Sequence, residues 1–369
     1  LSTPPDSAAT IIGWEDTVVP AMDRIRSMKP PRVIQLTAER LDEAGLGVGT
    51  TAGWRVHAAD LLPGESAEVT IDHASPHHPE AWGRATAGRG PPSGDRTAAI
   101  CPRFGQCGGC AWQHLAYAAQ LVAKRHRVVD ALAPRVAPDA VPAPTPAPQL
   151  VGYRNKGKYV VGGRAGAVIL GAYAPRSHRV VDTLGCRVVA PEIDAVAQRV
   201  KAALDDSGLA PWDERARAGA WRYVIARASA EGQVLVVLVT RSDADDTTVA
   251  TAAARIAAHP AVRGVVRLRN DRADGALLAG AVEPLAGDAV LAERLGDVAV
   301  EVGAGEFLQV NRAQSAALYA AVAELGGAAP GVRAVDLYSG LGGIAFTLAA
   351  AGAMVLGVER DPTAVAAAR

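Results

Sequence analysis

The first part of the sequence is a series of short apolar stretches broken by glycine and proline. Four of these stretches are candidate strands, because each is short and bounded by turn residues. They lie at 32–36, 54–58, 67–71 and 82–87. Several short strands in succession favour a small OB-like β-barrel over residues 32–89. We expect the preceding extension, residues 1–31, to be disordered.

The pattern changes to a helical period after residue 112. Apolar residues between Leu115 and Leu132 recur on one face of a helix, which we expect to end before Pro134. Further prolines follow at 138, 142, 144, 146 and 148. They predict an extended connection rather than a helix or a strand.

Strand and helix patterns are mixed in the middle of the chain. The stretches 222–228 and 233–240 flank a turn at 231–232 and predict a β-hairpin. The stretch 249–257 has a helical period instead. These elements together predict an α+β central domain over residues 90–300.

The C-terminal part has the most regular pattern. A buried strand is predicted at 332–337, a glycine turn at 340–343, and a helix directly after the turn. A second strand at 354–358 ends in Glu359. This order opens a doubly wound, Rossmann-like α/β sheet, so residues 301–369 are predicted to begin a third domain.

Composition and charge narrow the function classes. The chain has 369 residues, 49% of them hydrophobic, which allows two or three domains with cores of their own. Its formal net charge is zero, so any contact with nucleic acid depends on local patches. No apolar run is long enough to cross a bilayer, and the start of the chain lacks a secretory signal. We therefore expect a cytoplasmic protein without a membrane partner, acting as a monomer.

The chain has four cysteines, and three of them lie close together. Cys101, Cys107 and Cys110 have the spacing Cys-x5-Cys-x2-Cys, and Cys186 follows much later. In a cytosolic protein such a set indicates a metal site rather than disulfides. Zinc sites with four cysteines usually combine two Cys-x2-Cys pairs. The spacing therefore favours an iron–sulfur cluster, with zinc and unrelated thiols as the alternatives.

A glycine turn follows the first predicted strand of the C-terminal region, in the sequence Asp336-Leu-Tyr-Ser-Gly-Leu-Gly-Gly343. Glycines here let the backbone approach a ligand at the start of a helix. Glu359 is placed to accept hydrogen bonds from both hydroxyls of a ribose. NAD and S-adenosylmethionine (SAM) both carry this ribose, so the pattern does not distinguish a dehydrogenase from a methyltransferase. A packing turn without a ligand is a third interpretation. Upstream, helix capping explains Asn311, whereas the amide of Gln309 is available for a ligand.

A basic segment follows the proline-rich connection, with no acidic residue over thirty positions. Three of its basic side chains lie on one side of an extended strand: Arg154, Lys156 and Lys158. Tyr153 and Tyr159 flank them. Positive charge mixed with aromatic rings suits contact with RNA phosphates and stacking on bases. A solvated strand face is an equal alternative.

Together these passages resemble the RNA (uracil-5-)-methyltransferases, in the branch with an N-terminal TRAM domain and a 4Fe-4S cluster. The resemblance rests on four passages and extends over nearly the whole chain from residue 32. The passages are Leu61-Leu-Pro-Gly-Glu65, the cysteine set continued by Ala111-Trp-Gln-His-Leu-Ala-Tyr117, Tyr153-Arg-Asn-Lys-Gly-Lys158, and Phe307-Leu-Gln-Val-Asn311 with Asp336-Leu-Tyr-Ser-Gly340.

The resemblance implies a multidomain fold, with a TRAM barrel, an α+β central domain holding the cluster, and an incomplete Rossmann-like SAM-dependent methyltransferase domain. It implies methylation of C5 of a uridine in structured RNA. The residues do not choose between ribosomal and transfer RNA, and the combination of TRAM domain and cluster favours ribosomal RNA. The implied SAM pocket is lined by Gln309, Tyr338, Gly343 and Glu359. The implied cluster ligands are Cys101, Cys107, Cys110 and Cys186. Relatives often have asparagine at position 343, so Gly343 is expected to contribute backbone contacts only.

The family's chemistry needs a nucleophile as well as SAM. A cysteine thiolate adds to C6 of uracil, C5 takes the methyl group, and a glutamate removes the C5 proton before the thiolate leaves. The resemblance places both residues past an Asp-Pro-Pro-Arg turn, so we expect them beyond Arg369 and none within the chain. An RNA-binding iron–sulfur protein with a decayed methyltransferase domain is the alternative function. A radical-SAM enzyme is disfavoured, because its cluster motif would be Cys-x3-Cys-x2-Cys.

Overall fold

The computed structural model describes residues 30–272, 278 and 280–369. They form two compact units, one of residues 30–100 and 110–145, the other of residues 101–109 and the described part of 146–369. The extension predicted at 1–31 lies almost wholly outside the described residues. Within them, no helix is long and apolar enough to cross a membrane.

Six strands form one mixed sheet in the first unit, in the order β1-β5-β6-β4-β3-β2. They are β1 (Val33–Thr37), β2 (Arg40–Leu41), β3 (Gly47–Thr51), β4 (Trp54–Ala59), β5 (Ser66–Ala74) and β6 (Glu80–Ala87). Only β4 and β6 pair in parallel. Alternate residues of β4, Trp54, Val56 and Ala58, are buried in the core below the sheet. The four predicted strands are confirmed, whereas closure into an OB-like barrel stays a prediction.

The first unit also contains the helix predicted after residue 112. This helix, α1 (Tyr117–Leu132), follows Trp112 and Leu115, which pack against Leu41 and Leu62 of the same unit. After α1 the chain is extended apart from a short 3-10 turn at Pro138–Ala140. The prolines exclude a longer helix here because they lack the backbone N–H that a helix interior needs.

A seven-stranded sheet is the centre of the second unit, in the order β13-β12-β11-β10-β7-β8-β9. The strands are β7 (Lys156–Arg164), β8 (Ala167–Tyr173), β9 (Val180–Asp182), β10 (Trp221–Ala228), β11 (Val234–Thr240), β12 (Val262–Arg269) and β13 (Val282–Gly287). The predicted hairpin is confirmed as β10 and β11, which pair antiparallel. Every residue of β11 is buried, because both faces of the sheet are covered there.

Two helices cover one face of this sheet, α2 (Pro191–Ser207) and α3 (Asp246–Ala257). Ile193 and Val200 of α2 and Ile256 of α3 are buried against the strands. A hairpin of β14 (Leu291–Leu295) and β15 (Val298–Val302) follows the sheet, and Leu291 packs on its other face. The observed mixture of helices and strands confirms the α+β pattern of this region.

The C-terminal part of the second unit has the predicted order of elements. They are α4 (Arg312–Leu325), β16 (Arg333–Leu337), α5 (Gly343–Ala350), β17 (Met354–Val358) and α6 (Pro362–Ala367). β16 and β17 pair in parallel. The prediction that the first of these strands is buried is wrong for the described chain, since Val335 is 60% and Leu337 63% exposed. The physical reason is that α5 packs on the opposite face of the pair, where Asp336 points.

Candidate functional site

The turn between β16 and α5 is built from residues in the left-handed region of backbone space. Gly340 has a φ of 54° and Gly342, the N-cap of α5, has a φ of 83°, where glycine is not strained. Tyr338 has a φ of 60° although it carries a large side chain, and it is 89% exposed. Such backbone strain clusters at functional sites. The Tyr338 ring is thereby presented at the carboxyl end of β16.

Glu359 lies at the same end of the strand pair. One of its carboxylate oxygens accepts a hydrogen bond from the backbone N–H of Gly340 at 2.9 Å. The other accepts from Arg360 at 2.7 Å and from Asp361 at 2.9 Å. The N–H groups of Asp361, Gly340 and Arg360 lower the pKa of Glu359, so the carboxylate is ionised at neutral pH. It ties the glycine turn to β17.

Gly343 has a packing reason that the sequence did not reveal. A Cβ atom placed there would lie 2.7 Å from Cε2 of Tyr319, a residue of α4. The glycine therefore lets α4 and α5 pack closely. A larger residue, including the asparagine expected in relatives, would require the Tyr319 ring to move.

Asp336 is a site residue whose role the sequence pattern did not predict. Its side chain accepts a hydrogen bond from the backbone N–H of Ala345, in the first turn of α5, at 3.1 Å. Burial raises the pKa of this carboxyl group, against the lowering effect of the Ala345 N–H. Asp336 thus fixes the start of α5, which follows the glycine turn, relative to β16. Its place in the quoted motif was the available signal.

The segment around Gln309 is held by a residue far away in sequence. Asn155 is fully buried, and its side-chain amide donates to the backbone oxygen of Gln309 at 3.0 Å. The backbone N–H of Asn155 donates to the oxygen of Val310 at 2.9 Å. Asn311 caps α4 as predicted, because its side chain accepts from the N–H of Gln314 at 3.1 Å. Two passages quoted for the resemblance therefore meet directly.

The basic residues lie where predicted, but their aromatic partner does not. Lys156 is half-buried and Lys158 is exposed on one side of β7, and Arg154 bridges to Asn311 just before the strand. Tyr159 is only 2% exposed, so its predicted role beside the cations as a stacking ring is wrong. Successive residues of a strand point to opposite faces, and an exposed Lys158 therefore places Tyr159 in the core.

Phe307 has an exposed aromatic ring, whereas the ring of Tyr159 is buried. Phe307 is 70% exposed and lies two residues before Gln309. The segment is fixed at this point by Arg227, whose guanidinium donates to the backbone oxygen of Glu306 at 2.7 Å. An apolar ring of this size at the surface is a candidate for contact with a base.

Two of the three clustered cysteines lie on a loop anchored to the seven-stranded sheet. The backbone N–H of Gly108 donates to the oxygen of Tyr173, at the end of β8, at 3.2 Å. The N–H of Gly109 donates to the sulfur of Cys107 at 3.3 Å. Cys186 follows a turn in which Gly185 donates to the Asp194 carboxylate at 2.6 Å. Cys110 is a half-buried residue of the first unit.

Electrostatics indicate that Cys101, Cys107 and Cys186 are neighbours. Burial raises the pKa of Cys107, and after a lowering hydrogen bond from Gly109 the charges of Cys186 and Cys101 raise it further. In the described part of the chain, however, no three His, Cys, Asp or Glu side chains converge as ligands of a metal ion.

No family model matches the chain. An uncharacterized RNA methyltransferase of Halalkalibacterium halodurans is 32% identical to it over 344 residues, which are 91% of this chain and 74% of the relative. Another, of Thermosynechococcus vestitus, is 32% identical over 332 residues, or 88% of this chain and 72% of the relative. The chain belongs to the RNA methyltransferases. It spans about three quarters of the length of these relatives.

The fold of this RNA methyltransferase also occurs in a crystal structure. The Pyrococcus abyssi tRNA (uracil-54, C5)-methyltransferase in complex with S-adenosyl-L-homocysteine matches with a TM-score of 0.69 at 21% identity. The match covers 91% of this chain and 75% of that one. At this identity the likeness shows the fold, which is that of a methyltransferase with mixed sheets.

Proposed function

We propose that this RNA methyltransferase transfers a methyl group from SAM to C5 of a uridine in structured RNA, with ribosomal RNA as the substrate. The observation that carries the proposal is the contact between Asn155 and the Gln309 segment. It joins the basic strand to the segment that precedes the glycine turn, so residues suited to RNA lie close to residues suited to the cofactor. The uracil-C5 specificity of the structural neighbour supports the choice of base and atom.

The residues at the carboxyl end of β16 and β17 fit a SAM molecule. The left-handed turn at Gly340 and Gly342 lets the backbone come close to a ligand. Glu359 is ionised and suits two ribose hydroxyls, and the exposed Tyr338 ring suits an adenine or methionine chain. SAM, when bound, supplies the methyl group. The chain's own residues bind and orient it, with Gln309 and the backbone of Gly343 as the further proposed contacts.

The spacing of the cysteines in the sequence favours an iron–sulfur cluster over a single ion. A cluster spreads its ligands over several iron atoms, so its thiolates lie further apart than those on one zinc. Cys101 and Cys186 both lie near Cys107, and the Gly109 N–H bond to the Cys107 sulfur would tune a cluster held there. With Cys110 they are the proposed ligands of a 4Fe-4S cluster. None is therefore proposed as the thiolate that adds to C6 of uracil.

The proposal is tested by cofactor binding and by the identity of the product. Titration calorimetry should show binding of S-adenosylhomocysteine, and Glu359→Gln should weaken it roughly tenfold because two charge-assisted hydrogen bonds to the ribose become neutral ones. Glu324→Gln, a change on α4 outside the glycine turn, is the matched control. None of the four cysteines is proposed as the nucleophile, so nucleoside mass spectrometry of ribosomal and transfer RNA treated with SAM should find 5-methyluridine in ribosomal RNA only when the assayed protein also supplies the catalytic cysteine and glutamate. Methyl groups on another base, or no affinity for S-adenosylhomocysteine, would contradict the proposal.

A further inference from the structure

A turn at residues 174–179 joins β8 to β9 in the second unit. The backbone N–H of Ala174 donates to the oxygen of Arg179 at 2.8 Å, and the N–H of Ser177 donates to the oxygen of Ala174 at 3.1 Å. These bonds hold the backbone of the turn in one conformation. Three of its exposed side chains are cationic or aromatic: Arg176, His178 and Arg179.

The two arginines of the turn have charge that the described part of the chain leaves unpaired. No carboxylate there forms an ion pair with Arg176 or Arg179, whereas Glu214 lies 3.6 Å from Nδ1 of His178. Arg176 also has a φ of 53°, in the left-handed region that residues with a side chain rarely adopt. Such strain clusters at functional sites. Both guanidinium groups are therefore available to an anion from outside.

His178 and Tyr173 form a pair of aromatic rings at this turn. Their ring centroids lie 5.5 Å apart, with 51° between the planes. The His178 side chain is 83% exposed, so most of its ring is accessible. Tyr173 is half-buried, and burial together with a hydrogen bond to Tyr223 raises the pKa of its hydroxyl. Tyr173 thus supports a neighbouring ring on which a nucleic-acid base can stack.

The turn lies next to the basic strand and to the cysteine loop. β7 and β8 pair Val160 with Gly171, so two residues further the same register brings the exposed Lys158 beside Tyr173. The cysteine loop contacts the same place, because the N–H of Gly108 donates to the oxygen of Tyr173 at 3.2 Å. The positive charge of β7 therefore continues into the turn.

We propose that this turn binds an unpaired nucleotide of the RNA, other than the methylated one. The base stacks on the His178 ring, and Arg176 and Arg179 neutralise phosphates beside it. Positive charge next to an exposed ring suits single-stranded RNA. The methylated base must enter a pocket instead. The inference rests on the proposed function, because RNA is the partner, and it adds three residues outside the passages that carry the resemblance.

The arginines are tested by the salt dependence of binding to a fluorescein-labelled stem-loop RNA with single-stranded flanks. The slope of log Kd against log salt should fall by about 0.7 for each single-strand phosphate that loses its cation. Arg176→Gln and Arg179→Gln should each show this fall and weaken binding roughly fivefold at about 0.1 M salt. Arg164→Gln, at the exposed far end of β7, is the matched control and should leave the slope nearly unchanged.

Stacking is tested by combining a change in the protein with a missing base in the RNA. His178→Ala should weaken binding roughly fivefold or more, which is the usual effect of losing one stacked base, and His178→Phe should restore it. Abasic sites are then placed at each unpaired position of the RNA in turn. One of them should weaken binding to the wild type and have little further effect on His178→Ala, because the two changes remove the same contact.

Two results would overturn the inference. Unchanged slope and affinity in the Arg176–Arg179 double variant would leave the turn to another partner, such as an acidic protein. Abasic effects that add fully to His178→Ala at every position would exclude stacking on this ring. All three side chains are exposed, so their variants should unfold at the wild-type temperature. The proposed function would fail separately, through absent binding of S-adenosylhomocysteine to the unmodified chain, and none of these variants should change that binding.

Discussion

The buried carboxylate of Glu65, the last residue of the passage 61–65, accepts hydrogen bonds from three other residues of the first unit. It is 4% exposed and accepts hydrogen bonds from the backbone of Leu62 and Ser93 and two from the guanidinium of Arg96, each at 2.6 Å. Burial alone would raise the pKa of Glu65, but these bonds from Arg96, Leu62 and Ser93 lower it to about 2. The last residue of the passage 61–65 is therefore a structural clamp within the first unit.

Replacing Glu65 by glutamine should destabilise the first unit. The change leaves the partly buried Arg96 with the exposed Asp60 carboxylate, at 3.0 Å, as its remaining ionic partner, so the loss should be about 1–3 kcal/mol. Thermal or urea unfolding at pH 7 measures the loss. Glu39→Gln, at an exposed carboxylate of the same unit, should change stability by less than about 0.5 kcal/mol. Equal losses in the two variants would show that the clamp contributes nothing.

Glu65 should also make the free energy of unfolding depend on pH in the acid range. Its pKa in the folded state, about 2, is below its ordinary value of 4.5, so its contribution to stability is complete above pH 4.5. The contribution is lost as the pH falls from 4.5 toward 2, and it amounts to about 3 kcal/mol at most because one pKa unit corresponds to about 1.36 kcal/mol. Urea unfolding between pH 6 and pH 2.5 should show this slope in the wild type. The slope should be smaller in Glu65→Gln.

Asn155 has a corresponding role in the second unit. Asn155→Ala removes the bond to Gln309 and leaves a buried carbonyl unpaired, which costs about 1–3 kcal/mol. Because Gln309 is a proposed cofactor contact, the affinity for S-adenosylhomocysteine should fall as well. Calorimetry well below the melting temperature separates the two effects. Unchanged cofactor affinity in a folded variant would mean that Asn155 supports the fold but does not position Gln309.

At the scale of elements, the packing of α4 on α5 depends on the missing side chain of Gly343. Gly343→Ala should destabilise the protein by about 1–3 kcal/mol, the usual cost of overpacking, because the new methyl group meets the Tyr319 ring. Gly305→Ala has open space around the added methyl group and is the control. Both are measured by thermal unfolding.

A double variant tests whether contact with the Tyr319 ring causes the loss of stability in Gly343→Ala. If the clash with Tyr319 is responsible, Gly343→Ala should cost much less in a Tyr319→Ala background than in the wild type, so that the two changes are not additive. Additive losses would contradict the packing explanation. They would point instead to the backbone conformation of the turn.

The elements themselves were largely predictable, since burial leaves a local pattern. The stretch 354–358 is a strand over those residues, and the hairpin and α3 were placed within a few positions. Contacts between distant residues leave no such pattern. Asn155 and Gln309 are 154 positions apart, and nothing near either predicts their hydrogen bond. The error at Tyr159 is different, because strict alternation from Lys158 would have placed that ring in the core.

At the scale of the whole molecule, a neutral chain must concentrate the charge it uses for RNA. The formal net charge is zero, whereas β7 presents Lys156 and Lys158 on one surface of the sheet without interleaved acids. Affinity for RNA should therefore depend on this surface and not on overall charge. The four cysteines are proposed to form the other site that draws on distant parts of the sequence.

Anaerobically purified protein should contain iron and absorb light as a 4Fe-4S cluster does. Each of Cys101→Ser, Cys107→Ser, Cys110→Ser and Cys186→Ser should lose iron, because each removes one proposed ligand. Metal analysis and electron paramagnetic resonance after reduction measure the outcome. Stoichiometric zinc without iron would contradict the cluster, and full iron in the Cys186 variant would remove that residue from the ligand set.

The burial of the β10–β11 hairpin predicts how slowly its backbone amides exchange with solvent. β10 and β11 are joined by a short turn, and β11 is buried along its whole length, with helices on one side and Leu291 of the β14–β15 hairpin on the other. Its amides can exchange with deuterium only when the whole unit opens. The amides of β16, beside the exposed Val335, need a much smaller opening. Exchange should therefore be slowest in the β10–β11 hairpin and faster in β16, which leads into the turn proposed to bind SAM.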